Sequence, residues 1–346
     1  MNFPKSISFT ITNVCNLRCQ MCGQWSAEGY MHHQNDHLKN KLKLADWKRL
    51  VDELAEHHIS SILLRGGEPF LFPDIIELLQ YINHKGIFLS IDTNGTMLKN
   101  YVNDIVALGR IHLTISVDGP EEIHDQVRGV KGCFQRIKEN VALLREVEQK
   151  SGQTISKSIC FTISPYSYRG LGQMPDVARS IGISSITIVP YYYVPDYLGK
   201  DYERELNREL SCPAFSWHGF HHEDSGVDFE IFREEYRKYL ADLGEISSFP
   251  YLPLTEDEYR TWFTDPVAPV RSVSCNNVEK LIDIQPNGNA NFCVDFPDYC
   301  FGNIKEATIS ELWNSERAER FREYRRKKQL AVCYRCGAKY MSEIEG

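Results

Sequence analysis

The stretch Cys15-Asn-Leu-Arg-Cys19-Gln-Met-Cys22 places three cysteines close together near the start of the chain. Three thiolates at this spacing can bind one metal centre, but a closed zinc or iron–sulfur site normally takes four protein ligands. If these three hold a 4Fe–4S cluster, one iron stays open to an outside molecule. The alternatives are a zinc knuckle or three unrelated buried thiols, and spacing alone does not exclude them.

The composition is that of an ordinary globular protein with room for more than one domain. The chain has 346 residues, of which 42% are hydrophobic and 25% charged. No apolar run approaches the roughly 20 residues that a membrane helix needs. A net charge of −8 argues against a nucleic-acid surface. Eleven cysteines without a secretory signal favour a reducing compartment, so we expect a cytoplasmic protein whose thiols bind metals.

Strand-like and helix-like segments alternate through the first 190 residues. This alternation predicts an α/β fold whose parallel strands are joined by right-handed crossovers. Six such units fit either a partial barrel or an open doubly wound sheet. The predicted strands lie near 7–12, 61–65, 87–92, 111–117, 158–164 and 185–190, and the predicted helices near 44–58, 74–84, 98–108, 133–148 and 172–181.

Within the predicted strands, apolar and polar residues alternate with a constant phase. In segment 111–117 the odd positions are apolar, whereas His112, Thr114 and Ser116 share the other face. Segments 7–12, 87–92 and 158–164 show the same pattern. A face that is polar in strand after strand must meet something polar, and a lumen filled by cofactor and substrate would satisfy it. An antiparallel sheet with one solvated face is the alternative, which the intervening helices disfavour.

The second half of the chain reads as a bridging region followed by a small unit. Residues 191–270 begin with a tyrosine-rich run in which Tyr191 is a candidate for the substrate pocket, and helices are expected near 201–210, 228–243 and 255–263. From 271 onward we expect a hairpin over 282–293, a turn at 302–304 and a helix near 308–328. The remaining expectations are solvated surfaces: a loop with His32, His33 and His37, and one helix face with Arg322, Arg325, Arg326, Lys327 and Lys328.

Several short polar or glycine-rich motifs directly follow the predicted strands, where parallel sheets bind ligands. Two glycines let the backbone approach a neighbour closely, and proline fixes the turn that follows them. The motifs are Gly66-Gly67-Glu68-Pro69 after the second strand, Thr93-Asn94-Gly95-Thr96 after the third, Ser116-Val117-Asp118-Gly119 after the fourth, and then His124-Asp125-Gln126-Val127-Arg128-Gly129.

Together with the three cysteines, these motifs resemble the radical SAM superfamily in its SPASM/twitch branch. The resemblance implies that Cys15, Cys19 and Cys22 hold a 4Fe–4S cluster whose open iron is chelated by S-adenosyl-L-methionine (SAM). It also implies roles for the motifs that follow the strands. The implied SAM contacts are Gly66, Gly67, Glu68 and Pro69 at the methionine amino group, Thr93, Asn94, Ser116 and Asp118 at the ribose and methionine, and Arg128 at the carboxylate.

Two details of this resemblance stay open. A local ion pair with Asp125 is the alternative for Arg128. Members of the family usually carry an aromatic residue beside the adenine at the position of Met21, and methionine can still pack on a ring.

A second group of four cysteines lies in the C-terminal unit and resembles the twitch domain. It comprises Cys275, Cys293, Cys333 and Cys336, which the resemblance assigns to one auxiliary 4Fe–4S cluster with four protein ligands. A four-cysteine zinc ribbon is the alternative, and Cys300 could replace one ligand. Of the other cysteines, Cys133, Cys160 and Cys212 are expected to be core residues, although Cys160 on the lumen face could donate a hydrogen atom.

The resemblance implies a partial (β/α)6 barrel over residues 1–195, a bridging or lid region over 196–270 and a twitch domain, small and α+β, over 271–346. We expect an enzyme that cleaves SAM to a 5′-deoxyadenosyl radical, abstracts hydrogen from a substrate and passes one electron to the auxiliary cluster. A small metabolite is favoured because the first strand begins at residue 7, which leaves no N-terminal peptide-binding module. The alternatives are a peptide-modifying maturase and a non-catalytic zinc or iron–sulfur protein. A flavodoxin- or ferredoxin-type electron donor is the expected protein partner, with no nucleic acid or membrane.

Overall fold

The computed structural model of this protein describes residues 2–33, 41–271 and 275–341. Within these residues one sheet contains all ten strands. The strands are β1 (Ser6–Thr12), β2 (Ser61–Gly66), β3 (Phe88–Thr93), β4 (Ile111–Ser116), β5 (Ser156–Ile163), β6 (Ser185–Pro190), β7 (Ser247–Pro250), β8 (Leu281–Ile284), β9 (Asn289–Asn291) and β10 (Cys300–Asn303). Their order across the sheet is β10-β9-β8-β1-β2-β3-β4-β5-β6-β7.

Strands β1 to β7 run parallel to their neighbours, and β8 also pairs with β1 in parallel. The α-helices are α1 (Leu44–Glu56), α2 (Ile75–His84), α3 (Val102–Leu108), α4 (Glu121–Arg128), α5 (Cys133–Ser151), α6 (Met174–Ile181), α7 (Asp196–Leu210), α8 (Phe229–Ala241), α9 (Glu256–Thr264), α10 (Asn277–Lys280), α11 (Ile309–Trp313), α12 (Glu316–Lys327) and α13 (Gly337–Met341). The predicted α/β fold with a parallel sheet is therefore confirmed, because helices connect the parallel strands in sequence.

The apolar and polar faces of the strands lie where the alternation of residues predicted them. Leu113 and Ile115 of β4, like Phe161 of β5, are completely buried in the apolar core. The opposite face is also inside the protein, since Ser8 and Thr10 of β1 are almost inaccessible to solvent. A polar face that is enclosed in this way needs polar partners, which the lumen predicted from the sequence would supply.

The structure corrects four details of the sequence reading. Gly302 and Asn303 lie in strand β10, not in a turn, because they pair antiparallel with β9. The helix expected near 308–328 is two helices, α11 and α12, because Ser315 begins the second by accepting from Ala318 N at 3.1 Å. Strand β7, which lies in the presumed lid, was not predicted, because four residues are too few to show a clear alternation of apolar and polar positions. Helix α4, which follows Pro120, was not predicted either.

The sheet passes through all three predicted parts of the chain, whose boundaries stay a prediction. Additional contacts join the C-terminal part to the first helix. Glu53 of α1 accepts hydrogen bonds from Ile309 N at 3.0 Å and Ser310 N at 2.9 Å, which caps the start of α11. No helix of the described residues combines the length and apolarity that a bilayer crossing requires.

Of the three histidines that were expected in a solvated loop, His32 is exposed and its Nε2 lies 3.0 Å from the carbonyl oxygen of Ser26. His37 lies outside the described residues. His33 ends a short 3-10 turn that begins at Tyr30.

The buried carboxylate of Asp298 attaches the segment after α7 to the C-terminal unit. It accepts from Phe215 N at 2.8 Å, from Ser216 N at 3.0 Å and from Tyr202 Oη at 2.9 Å, and the Ser216 hydroxyl also donates to it. All these donors therefore depend on one acceptor.

We expect Asp298→Ala to lower the free energy of unfolding by about 3 kcal/mol, because it leaves several buried donors without an acceptor. Urea denaturation monitored by tryptophan fluorescence measures this change. The control is Asp201→Ala, which removes only an exposed ion pair with Arg204 and should cost less than about 1 kcal/mol. Equal effects of the two substitutions would contradict the assigned role of Asp298.

Candidate active site

The three N-terminal cysteines lie in the loop that follows β1. A turn closes this loop, since Cys22 N donates to Cys19 O at 3.1 Å. Each sulfur also faces a hydrogen-bond donor, with Leu17 N 3.4 Å from Cys15 Sγ, Trp25 N 3.4 Å from Cys22 Sγ and Arg128 Nη1 3.6 Å from Cys19 Sγ. Donors that point at sulfur stabilise thiolates, which is the form that binds iron.

The three sulfurs also influence one another. Burial, together with the neighbouring charges of Cys19 and Cys15, raises the pKa of the Cys22 thiol to about 11. Burial likewise raises the pKa of Cys15. Three deprotonated thiols in one buried loop require a cationic centre between them, and the irons of a cluster supply that charge. The residues present therefore fit a cluster held by three thiolates.

Among the described residues, no three His, Cys, Asp or Glu side chains are gathered closely enough for a single metal ion. This is compatible with a cluster, because a 4Fe–4S cluster bonds each cysteine to a different iron and its sulfurs do not converge on one point.

The two glycines after β2 pack against the backbone that leads into the cysteine loop. Gly67 N donates to Thr12 O at 2.7 Å, and Glu68 N donates to Val14 O at 2.8 Å. A Cβ atom on Gly67 would lie 2.3 Å from Val14 O, and one on Gly66, whose φ is +153°, would lie 2.3 Å from Thr12 O. Both positions therefore require glycine for chain packing, whatever the loop binds.

Glu68 is fully buried and joins the ends of β2 and β3. Its Oε1 accepts from Thr93 Oγ1 at 2.8 Å and from Phe70 N at 3.2 Å, while its Oε2 accepts from Asn94 N at 2.8 Å. Burial raises the pKa of this carboxyl group to about 7, although the three hydrogen bonds act in the opposite direction. Pro69 is buried beside it and starts a short 3-10 helix. Glu68 is thus a structural centre of the site as well as a predicted SAM contact.

A side-chain network connects this carboxylate to the cysteine loop, and sequence reasoning missed two of its members. Asn94 Nδ2 donates to Asn16 Oδ1 at 2.9 Å, and Asn16 Nδ2 donates to Thr96 Oγ1 at 2.9 Å. Asn140 of α5 donates to the carbonyl oxygens of Gly95 and Thr96. The only sequence signal for Asn16 was its position between two predicted ligands.

Arg128 forms a buried ion pair with Asp118. Nη2 of Arg128 lies 2.6 Å from Oδ2 of Asp118, whose side chain is completely inaccessible. Burial opposes the charge on Arg128, but Asp118 and Cys19 raise its pKa above the ordinary value. The alternative partner Asp125 instead accepts from backbone N–H groups, including Phe134 N at 2.8 Å. The pair thus links the end of β4 to Cys19.

His124 packs beside this ion pair. Its Nδ1 lies 3.2 Å from Asp118 N, which donates to it, and the side chain is completely buried. Burial and then Arg128 lower the pKa of His124 to about 3, so the ring is neutral at physiological pH.

Charged side chains that sequence reasoning did not single out lie near one another on β2, β3, β8 and the segment that follows β9. Arg65 of β2 and Asp295 lie 3.5 Å apart and keep 27% and 23% of their side-chain surface accessible. Burial opposes the charge on Arg65, but Asp295, Asp92 and Asp283 raise its pKa above the ordinary value. Burial raises the pKa of Asp283 to about 6. We call Arg65, Asp92, Asp283 and Asp295 the lumen ionic group.

Cys160 and Ser116 are paired neighbours on the lumen faces of β5 and β4. Cys160 is half-buried, and burial together with the charges of Asp92 and Asp118 raises the pKa of its thiol to about 12. The thiol is therefore protonated at neutral pH, as a hydrogen-atom donor must be. This role of Cys160 stays a prediction.

A group of aromatic rings lies beside the cysteine loop, and we call it the aromatic wall. Its members are Tyr30, Tyr192, Phe215, Phe220 and Phe296, linked in pairs by ring contacts with centroids 5.1 to 6.1 Å apart. The Phe220 ring lies against Gly23, where an added Cβ would be 2.4 Å away. Tyr191 is nearly buried, with its ring 5.6 Å from that of His222, so its assignment to a substrate pocket stays a prediction.

The second group of cysteines surrounds a cavity of about 40 Å³ in the C-terminal part. Cys275, Cys293, Cys333 and Cys336 all line it. Burial, and then the charges of the other three, raise the pKa of Cys293 well above the ordinary value. Cys300 is not among the lining residues, and its Sγ lies 3.1 Å from Gly302 O. The four predicted residues fit a fully ligated cluster.

Comparison with known proteins agrees with this site. The family model of the radical SAM superfamily matches residues 9–163, and that of an iron–sulfur cluster-binding domain, SPASM, matches residues 275–337. Fe-coproporphyrin III synthase of Methanosarcina barkeri is 26% identical over 326 residues, covering 89% of this chain and 73% of its own. The subtilosin biosynthesis protein AlbA of Bacillus subtilis is 24% identical, covering 99% of this chain and 68% of its own.

Among solved structures, SuiB of Streptococcus suis has a TM-score of 0.66 at 15% identity, covering 99% of this chain and 74% of SuiB. The enzyme anSMEcpe with bound AdoMet has a TM-score of 0.58 at 16% identity, covering 98% and 94%. At such identities the likeness shows the fold alone.

The parallel sheet, the three-cysteine loop and the C-terminal cysteine cavity define an iron–sulfur enzyme that uses SAM. The chain belongs to the radical SAM superfamily, in the branch that carries a SPASM-type domain. It is an enzyme, and its cofactors are a 4Fe–4S cluster, SAM and auxiliary iron–sulfur. These predictions from the sequence are confirmed, whereas the roles of individual residues stay predictions.

We expect Arg128→Ala and Asp118→Asn each to weaken SAM binding at least tenfold, because each removes a predicted contact and leaves a buried charge unpaired. The double variant Asp118→Asn/Arg128→Met separates these causes, since it removes both charges. Its affinity for SAM, measured by equilibrium dialysis with iron content checked, should stay low.

Recovery of SAM affinity in the double variant would show that the pair is only structural. The control is Glu122→Gln, an exposed position on the same helix α4, which should bind SAM like the wild type.

Proposed function

We propose that this enzyme performs a two-electron oxidation of a small polar metabolite in the lumen, with the auxiliary cluster as electron acceptor. The observation that carries this proposal is the position of Asp295. Its carboxylate pairs with Arg65 of the barrel, and it follows the predicted ligand Cys293 by two residues. Asp295 also lines the auxiliary cavity. One side chain therefore faces both the lumen and the auxiliary site.

In this proposal the first cluster, held by Cys15, Cys19 and Cys22, supplies the electron that cleaves SAM and so generates a hydrogen-abstracting radical. The residues of the chain bind and orient the cofactor. Glu68 and the glycine loop hold the methionine end, and Arg128 holds the carboxylate. The Arg128 guanidinium also donates to the sulfur of Cys19 at 3.6 Å, so one side chain contacts both the cluster ligand and the predicted SAM site.

The lumen ionic group gives the substrate site its charge preference. It contains one guanidinium and three carboxylates, so an anionic substrate would meet more repulsion than attraction. A substrate with an amino group or several hydroxyl groups would match it, because carboxylates accept hydrogen bonds from both. We therefore favour a neutral or cationic polar metabolite.

The overall reaction balances without a further oxidant. One substrate hydrogen leaves as an atom and ends in 5′-deoxyadenosine, and the substrate radical then loses one proton and one electron. A carboxylate of the lumen ionic group accepts the proton. A cluster held by Cys275, Cys293, Cys333 and Cys336 would supply the electron acceptor. Two rings of the aromatic wall, Phe220 and Phe296, lie between Gly23 and the cavity that these cysteines line.

Enclosure of the lumen supports a small substrate. Gly219 packs on the carbonyl of Gly23, and Gly337 packs on the rings of Tyr192 and Tyr251. The bridging part thus packs on the cysteine loop, and the C-terminal part packs on Tyr192 just after β6. These contacts favour a small substrate over a peptide, which would need an open channel.

A peptide-modifying maturase is the second candidate. AlbA, a subtilosin biosynthesis protein, matches nearly the whole of this chain, and SuiB has been solved with its precursor peptide SuiA bound. For either substrate class we propose a flavodoxin- or ferredoxin-type electron donor and a reducing, cytoplasmic location. The eleven cysteines support such a location.

The cluster assignment is tested by anaerobic reconstitution. The wild type should hold about eight irons per chain, and a variant with Cys15, Cys19 and Cys22 all replaced by alanine should keep about half and no longer cleave SAM. The Cys333→Ala/Cys336→Ala variant should still cleave SAM but form no product; its solubility is measured too, since metal loss can unfold a small domain. Zinc in the triple variant, or normal SAM cleavage by Cys19→Ala, would contradict the assignment.

The substrate site is tested with Arg65→Gln and Asp295→Asn. Both should cleave SAM but lose at least tenfold in product per SAM cleaved, because the radical forms while the substrate is misplaced. Separate incubations with a metabolite extract and with its peptide fraction, followed by mass spectrometry, identify the molecule that becomes lighter by two hydrogens. The control is the exposed Arg110→Gln. A product found only in the peptide fraction would replace the first candidate by the second.

A further inference from the structure

Helix α12 carries a run of basic residues whose side chains point in different directions, contrary to the single solvated face expected from the sequence. Arg326 is exposed and pairs with Glu279 at 2.8 Å and Glu319 at 2.7 Å. Arg322 is buried and donates to Val278 O at 2.9 Å. Arg325 instead lines the cavity formed by the four C-terminal cysteines.

A hydrogen bond to a nearby backbone carbonyl holds the side chain of Arg325 in place. Its Nη1 donates to Lys328 O at 2.7 Å, just beyond the end of α12. Burial opposes its charge, yet the four thiols Cys333, Cys275, Cys293 and Cys336 raise its pKa above the ordinary value. Because Arg325 and the four cysteines line the same cavity, the guanidinium can stabilise negative charge on their sulfurs.

The rest of the cavity wall disfavours negative charge. It is largely apolar, with Phe292, Phe296, Phe321 and Val332 among its members. A cluster with four thiolate ligands is anionic and gains one more negative charge on reduction, so an apolar wall makes reduction harder. A fixed cation at the wall acts in the opposite direction and favours the reduced form.

The other charged residues near the cavity, Lys339 and Asp295, do not have the same effect on the cluster as Arg325. Lys339 also lies near Cys333, but its Nζ donates to Gln329 Oε1 at 2.6 Å and burial lowers its pKa. Asp295 has the opposite effect to Arg325, because its negative charge raises the pKa of Cys336 and so disfavours further negative charge there. Arginine keeps its charge even when it is buried, whereas burial readily lowers the pKa of a lysine.

We propose that Arg325 is the residue that makes the auxiliary cluster an effective electron acceptor, by raising its reduction potential through the guanidinium at the cavity wall. The inference rests on the proposed function, since it assumes that Cys275, Cys293, Cys333 and Cys336 hold iron–sulfur. Arg325 acts on the cluster and contacts no reacting atom of the substrate.

The test measures the reduction potential of the auxiliary cluster alone. In the full-length chain with Cys15, Cys19 and Cys22 replaced by alanine, an electron paramagnetic resonance titration follows the reduced cluster as the applied potential changes. Arg325→Met and Arg325→Gln should each lower the reduced-to-oxidised ratio at a given potential by about tenfold, which is about 59 mV for one electron. Arg325→Lys should restore most of that ratio.

Arg326→Met is the matched control, since it removes the adjacent cation, which pairs with surface carboxylates, and should leave the potential unchanged. If Arg325→Met fails to retain iron, the neutral Arg325→Gln variant decides the question. An unchanged potential in an iron-loaded neutral variant, or an equal shift in Arg326→Met, would overturn the inference. A site that holds zinc, or no metal, in the parent chain would instead overturn the proposed function on which it rests.

Discussion

The candidate site depends on one buried carboxylate. Glu68 accepts from Thr93, Asn94 and Phe70, so it joins the ends of β2 and β3 in the interior, where a lost partner would cost most. Asn94 in turn donates to the side chain of Asn16, which lies between Cys15 and Cys19, and so links Glu68 to the cysteine loop. The glycines that precede Glu68 bring its loop onto the backbone before Cys15. A motif predicted to contact SAM therefore also positions the loop that holds the iron.

Both groups of cysteines are arranged with an arginine beside their sulfurs. Arg128 lies next to Cys19 and is itself neutralised by Asp118, whereas Arg325 lines the cavity of the four cysteines and donates to the backbone carbonyl of Lys328, a neutral acceptor. This difference follows the chemistry proposed for each site. In that proposal the first site donates an electron, which a compensated cation does not oppose, and the auxiliary site accepts one.

Periodicity and spacing predicted the architecture because they act locally. The alternating strands indicated both the helix-covered face and the polar lumen, and the cysteine spacings indicated two separate groups. The lumen ionic group could not be predicted, because Asp295 meets Arg65 only after the C-terminal unit folds onto the barrel. Arg325 looked like part of a solvated face for the same reason: its surroundings include Cys275 and Cys293, far away in sequence.

The parallel pairing of β1 with both of its neighbours explains how the N-terminal cysteine loop and the C-terminal cysteine cavity are held in fixed positions. This strand leads into the cysteine loop and lies between β2 and β8, with Thr10 opposite Arg65 on one side and Ser8 opposite Asp283 on the other. Thr10 Oγ1 also donates to Asp283 Oδ1 at 3.2 Å. Because β8 continues into β9 and the segment with Cys293, one hydrogen-bonded ladder connects the N-terminal cysteines, the lumen and the auxiliary cavity. A fixed register of this kind holds the two groups of cysteines at a constant distance from each other.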